Sequence, residues 1–221
     1  MRKNMYCTFD TETVGGAVEP EGFYHIGGLI HDREGNVYAS FNLLCADMYE
    51  KVAFDDYAKN TMYIYEMMLY NGEITVVKNE EIALKIVNDL LEMYNVNYLC
   101  AFNTGFDLEK TKARVLKENR HFVDIFLMAV QTIGQQKKYS RFCHENNLFS
   151  SSKKNISNTA ETYYAFLTKN PNYKEEHTAI EDAKIELDIF LACLNTKRRF
   201  TRNCHFANYE DRFQLFVKRE F

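Results

Sequence analysis

Met5-Tyr6-Cys7-Thr8-Phe9-Asp10-Thr11-Glu12 opens as an apolar, β-prone run and ends on two carboxylates. The reading of this stretch decides the rest. Residues 5–9 predict a strand reaching Asp10, and residues 24–31 and 37–44 predict two more, separated by Asp32-Arg33-Glu34-Gly35-Asn36. A turn built on Glu34-Gly35-Asn36 makes those two an antiparallel hairpin. Further on, Ile82, Ile86, Leu90 and Met93 recur at helical spacing over 79–94, and 98–102 is a short apolar strand. A helix over 106–119 and a strand over 121–124 follow, then weaker helical pieces through 125–168. The Ser-rich patch at 150–155 reads as a mobile loop. From Thr178, the positions Ile180, Ala183, Leu187, Phe190, Leu191 and Leu194 keep a helical period for about four turns. Five strands, a meander first, alternating with helices, predict an α/β protein whose mixed sheet carries helices on both faces.

The 221 residues suit one compact domain, over 1–196, followed by a tail over 197–221, and a content of 46% hydrophobic and 14% aromatic side chains can fill its core. No run approaches the length of a membrane span and no apolar leader opens the chain, so the expectation is a cytoplasmic protein without a membrane partner. The cysteines Cys7, Cys45, Cys100, Cys143, Cys193 and Cys204 are scattered and read as reduced thiols. The dipeptides Cys143-His144 and Cys204-His205 match no common zinc spacing. A net charge of −4 excludes a protein that coats nucleic acid with a broad basic surface. The charge is uneven: residues 195–221 hold seven basic and three acidic side chains, +4, which leaves −8 for the remainder.

Asp10 and Glu12 stand two apart at a strand end, so the strand period sends both carboxylates to one face, where they can share a hard cation such as Mg²⁺. Alone, an Asp-x-Glu pair is commonplace and reads more readily as a solvated turn. Asp107 follows Leu99-Cys100-Ala101-Phe102-Asn103-Thr104-Gly105-Phe106, where a strand turns through glycine into a helix. Strand ends gather ligands; a helix cap is the other reading of Asp107, a turn residue that of Asn103, and a core side chain that of Phe106. In His177-Thr178-Ala179-Ile180-Glu181-Asp182-Ala183, five steps along a helix is about 140° of rotation. His177 therefore belongs to the preceding loop or first turn, while Asp182 reaches the site from the helix.

Phe9-Asp10-Thr11-Glu12-Thr13, the segment 101–107 and the segment 177–183 resemble, in order, the three sequence motifs of the DEDDh (DnaQ-like) 3′–5′ exonuclease family, over about residues 6–195. The segment around Asp124 is similar to the family's short strand after its second motif. The resemblance implies a ribonuclease-H-like sheet in which Asp10, Glu12, Asp107 and Asp182 hold two divalent ions, Mg²⁺ or Mn²⁺, with His177 as general base. It implies release of 5′-mononucleotides from the 3′ end of single-stranded nucleic acid, with Thr11, Thr13, Asn103 and Phe106 near the terminal nucleotide. The chain also resembles compact standalone exonucleases encoded by phages.

The leading expectation is a DNA exonuclease acting on single strands or frayed 3′ ends. RNA trimming, short-oligonucleotide degradation and a proofreading or accessory module of a polymerase are the alternatives, and a homodimer or a polymerase partner is compatible with each. The 70 positions between Asp107 and His177 carry Lys137, Lys138, Arg141, Lys153 and Lys154, suited to holding a strand or to coating a helix surface. Basic residues of the tail alternate with Phe200, Phe206, Tyr209, Phe213 and Phe216, a mixture that either contacts phosphate and stacks on bases or packs onto the core.

Overall fold

The opening strand does not stop at Phe9. In the computed structural model, β1 runs Met5–Thr13, so that Asp10 and Glu12 lie inside the strand rather than beyond it. The structure describes residues 4–13, 22–50, 52, 58–111, 120–152, 154–196 and 205–206. β1 extends because β2 (Phe23–His31) pairs with it antiparallel from Tyr6 to Thr13, with Asp10 opposite Gly27 and Glu12 opposite His25. β3 (Val37–Cys45) completes the meander. In the connecting turn, Gly35 takes φ +87° and the Asp32 carboxylate accepts from the N–H groups of Glu34 and Asn36 at 2.9 and 3.0 Å.

Beyond the meander lie α1 (Ala46–Tyr49), α2 (Ala58–Asn71), β4 (Thr75–Val77), α3 (Glu80–Met93), β5 (Val96–Ala101), α4 (Thr104–Lys110) and β6 (His121–Asp124). α5 (Ile125–Gln131), α6 (Lys137–Glu145), α7 (Ala160–Thr168), α8 (Ala179–Leu194) and β7 (His205–Phe206) follow. The sheet order is β4-β3-β2-β1-β5-β6-β7. β1–β5, β5–β6 and β3–β4 are parallel, and the remaining pairs are antiparallel. The mixed sheet is as expected in kind but has seven strands instead of five. β4 has three residues and β7 two, too few to display an alternation.

All nine positions of β2 are buried, so both of its faces are covered; α8 packs against it, as do α1 and α3. α3 starts where the pattern places it, with the Asn79 side chain accepting from the Ile82 N–H at 3.1 Å. α4 starts at Thr104 rather than Phe106. Asn103 turns the chain in the left-handed region at φ 73°, and the Thr104 hydroxyl reaches the carbonyls of Ala101 and Val123 at 2.9 and 2.7 Å. Asp107 is then the fourth residue of the helix and not its cap; the end of this expected helix, 112–119, lies outside the described residues. The patch at 150–155 closes on itself: Ser150 N–H donates to the Asn155 carbonyl at 2.8 Å beneath a Phe149–Ile156 bridge. The five cysteines among the described residues are free and buried.

Candidate active site

Pairing between β1 and β5 ends at Thr8 opposite Cys100, whereas β1 continues beside β2 to Thr13. β5 turns away into α4, and the last third of β1 borders a notch at the carboxyl ends of two parallel strands, where α/β sheets gather ligands. Asp10 and Glu12 lie on this stretch. The start of α8 closes the notch, and two features of β2 let it come close. A Cβ on Gly27 would sit 2.4 Å from the Ile180 nitrogen and 2.6 Å from the Ala179 carbonyl carbon, so only glycine admits the helix here. The Thr178 side chain makes no cap hydrogen bond; instead the Ala179 N–H donates to Nδ1 of buried His25 at 3.2 Å. Asn42 Oδ1 accepts at the other ring nitrogen, which leaves Nδ1 as the acceptor. Burial lowers the His25 pKa to about 4, the bond to Asn42 opposing it, so the imidazole remains a neutral cap.

This seating brings Asp182 to β1. One oxygen each from Asp10, Glu12 and Asp182 lie within 4.8 Å of one another. Asp107 is buried beside them, its Oδ1 accepting from the Thr11 hydroxyl at 2.8 Å. A cleft of about 600 Å³ opens over the group, lined by Asp10, Asp182 and Glu186 on one side, by Phe102, Asn103 and Phe126 on another, and by residues 158–160 and Glu175.

The charges are held against their preference. Burial raises Asp10 to about 7. Burial, with the charges of Asp10 and Glu175, raises Asp182 to about 9. Burial and neighbouring carboxylates push Glu12 and Asp107 well above the usual carboxylate range. The ion pairs Lys174–Glu161 and Lys184–Glu181 touch none of these groups. Asp182 Oδ1 and Glu186 Oε2 are buried without a hydrogen-bond partner. Buried, mutually repelling carboxylates with open lone pairs lack one thing, a cation, and oxygen-only donors suit a hard divalent ion. The residues present fit such an ion.

Other candidates from the sequence are spread around this group. Thr11 is buried and orients Asp107. Thr13 ends β1 at an irregularity in its register. Asn103 is exposed at the cleft, and half-buried Phe106 donates its N–H to the Asn103 carbonyl at 2.8 Å without lining the cleft. His177 is in the loop ahead of α8, exposed, at φ 54°, and is not among the cleft's lining residues. Glu186 and Glu175 were not anticipated. Glu186 has a legible signal, a carboxylate four residues after Asp182 and so on the same face of the helix; Glu175, in a polar loop, has none.

No family model matches the chain, and no curated protein is similar to it in sequence. Solved structures are similar in shape. Cell-death related nuclease 4 (CRN-4) superposes with a TM-score of 0.54 at 9% identity, over 87% of this chain and 64% of that one. E. coli exonuclease I in complex with a dA16 oligonucleotide gives 0.52 at 15% identity, over 96% and 46%. Exonuclease I without ligand gives 0.50 at 15% identity, over 89% and 43%. This chain spans under two thirds of each of these proteins. At such identities the likeness establishes the fold, ribonuclease-H-like, and leaves the chemistry to the site.

Proposed function

We propose that the chain is a metal-dependent 3′–5′ exonuclease of the DEDDh type that removes 5′-mononucleotides from single-stranded DNA or frayed 3′ ends. The observation that carries this reading is the convergence of Asp10, Glu12 and Asp182 within 4.8 Å, with Asp107 held alongside by Thr11. Exonuclease I, itself seen with an oligonucleotide, shares the fold and supports the same class of substrate. An accessory module would have no need to retain all four carboxylates.

Asp10, Glu12, Asp107 and Asp182 would hold two Mg²⁺ or Mn²⁺ ions, which when bound supply Lewis acidity toward water and the scissile phosphate. The chain's own groups do the rest. Thr11 keeps Asp107 in one orientation. Phe102 and Phe126, edge to face at 5.5 Å, offer the terminal base an apolar wall, and the Asn103 and Asn158 side chains stand at the same cleft. His177 accepts the proton of the attacking water at a ring nitrogen, carried over the cleft by its loop when substrate binds. The new O–P bond forms as the bond to the 3′ oxygen breaks; that oxygen is protonated by solvent, and the 5′-mononucleotide leaves.

The test is a time course on 3′- and 5′-labelled single-stranded DNA and RNA with Mg²⁺, Mn²⁺ or EDTA. Stepwise, EDTA-sensitive shortening from the 3′ end is the expected result, with Asp10→Ala inert and His177→Ala retaining the ions but losing most of the rate. Faster loss of RNA would assign the sugar the other way. Absence of cleavage of both polymers, or an Asp10→Ala variant as active as the parent, would refute the proposal.

A further inference from the structure

Glu186 plays no part in the four-carboxylate reading, yet it is the most buried of the carboxylates that line the cleft. It follows Asp182 by four residues on α8, so both side chains project from one face of that helix, and both line the cleft with Asp10. It is 3% exposed. One of its oxygens receives the backbone N–H of Phe102, at the turn from β5 to α4, while Oε2 is buried with no partner. Its nearest charges are Asp10, Asp107 and Asp182, all of the same sign. An ionised or half-bonded carboxylate in such surroundings is costly unless something positive, or a water oriented by it, comes to the open oxygen.

A clamp between α8 and the β5–α4 turn explains half of this residue. A glutamine would provide that clamp equally well, because an amide carbonyl also accepts an N–H, and it would not add a like charge to the cluster. The clamp leaves Oε2 and the charge unexplained. We infer that Glu186 is a fifth carboxylate of the cation centre, a positioning residue whose free Oε2 holds the ion's bound water from the buried floor of the cleft. It is not one of the three residues whose oxygens converge, so it serves the ion one layer out, through its charge and that hydrogen bond. The inference rests on the proposed reading of the cleft as a cation centre and extends it to a residue outside the four.

The experiment is an electron-paramagnetic-resonance titration of the full chain with Mn²⁺, alongside thermal melts of the cation-free protein. Glu186→Gln keeps the bond from Phe102 and removes the charge. It is expected to bind Mn²⁺ roughly tenfold more weakly, as loss of an outer-layer partner does, while melting no lower than the parent without cation. Glu186→Met, an apolar side chain of similar length, provides the same affinity test should the glutamine variant not fold. A folded variant with parental Mn²⁺ affinity overturns the inference, as does a lower melting point with affinity intact, which would make Glu186 a clamp alone. Failure of the parent to bind Mn²⁺ overturns both this inference and the proposed function. Parental binding that is weakened in Glu186→Gln, in a protein inert on nucleic acid, overturns the function and leaves Glu186 in its role.

Discussion

Gly27 decides how near α8 comes to β1, and replacing it with alanine should disable the site from outside it. The added Cβ would stand 2.4 Å from the Ile180 nitrogen, against 3.4 Å where ordinary contact begins. The shortfall is 1.0 Å, and the obstacle is helix backbone, which cannot rotate aside. α8 must withdraw by about that distance, carrying Asp182 two residues further on. The Ala179 N–H bond to His25, now 3.2 Å, would then stretch beyond hydrogen-bonding range. Overpacking of this kind costs ~1–3 kcal/mol, and a 1 Å misplacement of a catalytic group ~100-fold in rate. Gly27→Ala should therefore fold with a lowered melting point, bind Mn²⁺ weakly and cleave oligonucleotide about two orders of magnitude more slowly. Gly28→Ala is the control: the nearest atoms to its Cβ are those of the Phe41 ring, at 2.4 Å, a side chain and not the backbone of α8, so stability should fall and activity largely survive. A Gly27→Ala protein with parental Mn²⁺ affinity and rate would refute the argument that this glycine sets the helix.

Asp182→Asn should abolish cleavage yet raise the melting point of the cation-free protein near pH 7, because it removes a carboxyl that burial and the charge of Asp10 force to take up a proton on folding; a lower melting point would contradict this. Groups whose folded pKa is raised stabilise the fold below their unfolded pKa, and that contribution is lost as pH climbs through the folded value. Between pH 6.5, above which His25 is neutral in both states, and pH 9, the cation-free protein should thus lose stability, by at most ~3 kcal/mol from Asp182 alone. Saturating Mg²⁺ should flatten the slope, and a flat cation-free profile would count against the buried cluster. Thr11→Val leaves Asp107 Oδ1 without its donor and should cost ~1 kcal/mol and at least tenfold in rate, with Thr11→Ser restoring most of both; equal activity in the valine variant would assign Thr11 no positioning role.

What the sequence shows of this molecule depends on the range of the interaction responsible. The meander, α3 and α8 are visible because their signals are local: apolar, β-prone runs over residues 24–31 and 37–44 on either side of a turn, and a helical stripe from Ile180 to Leu194. The three segments that hold Asp10, Glu12, Asp107 and Asp182 stand out by their resemblance, taken together and in order, to the motifs of a known family, since each alone reads as a turn, a cap or a surface residue. α2 was missed because its apolar residues run nearly all the way round, with Tyr65 and Met68 buried and Tyr63, Met67 and Tyr70 exposed, so no stripe forms. The extension of β1 past Phe9 was hidden since polar Asp10, Thr11, Glu12 and Thr13 are held as a strand by β2, not by their own propensity. The cap of α8 could not be read locally at all, since it comes from an imidazole 154 positions earlier.

That separation has a consequence in time. β1 is made before α8. Contacts so far apart in sequence form late in folding, after the closure of a long intervening segment. Until α8 is made and docked, Asp10 and Glu12 have no Asp182 beside them. The carboxylate group is thus assembled only when residues 179–182 settle onto Gly27 and His25.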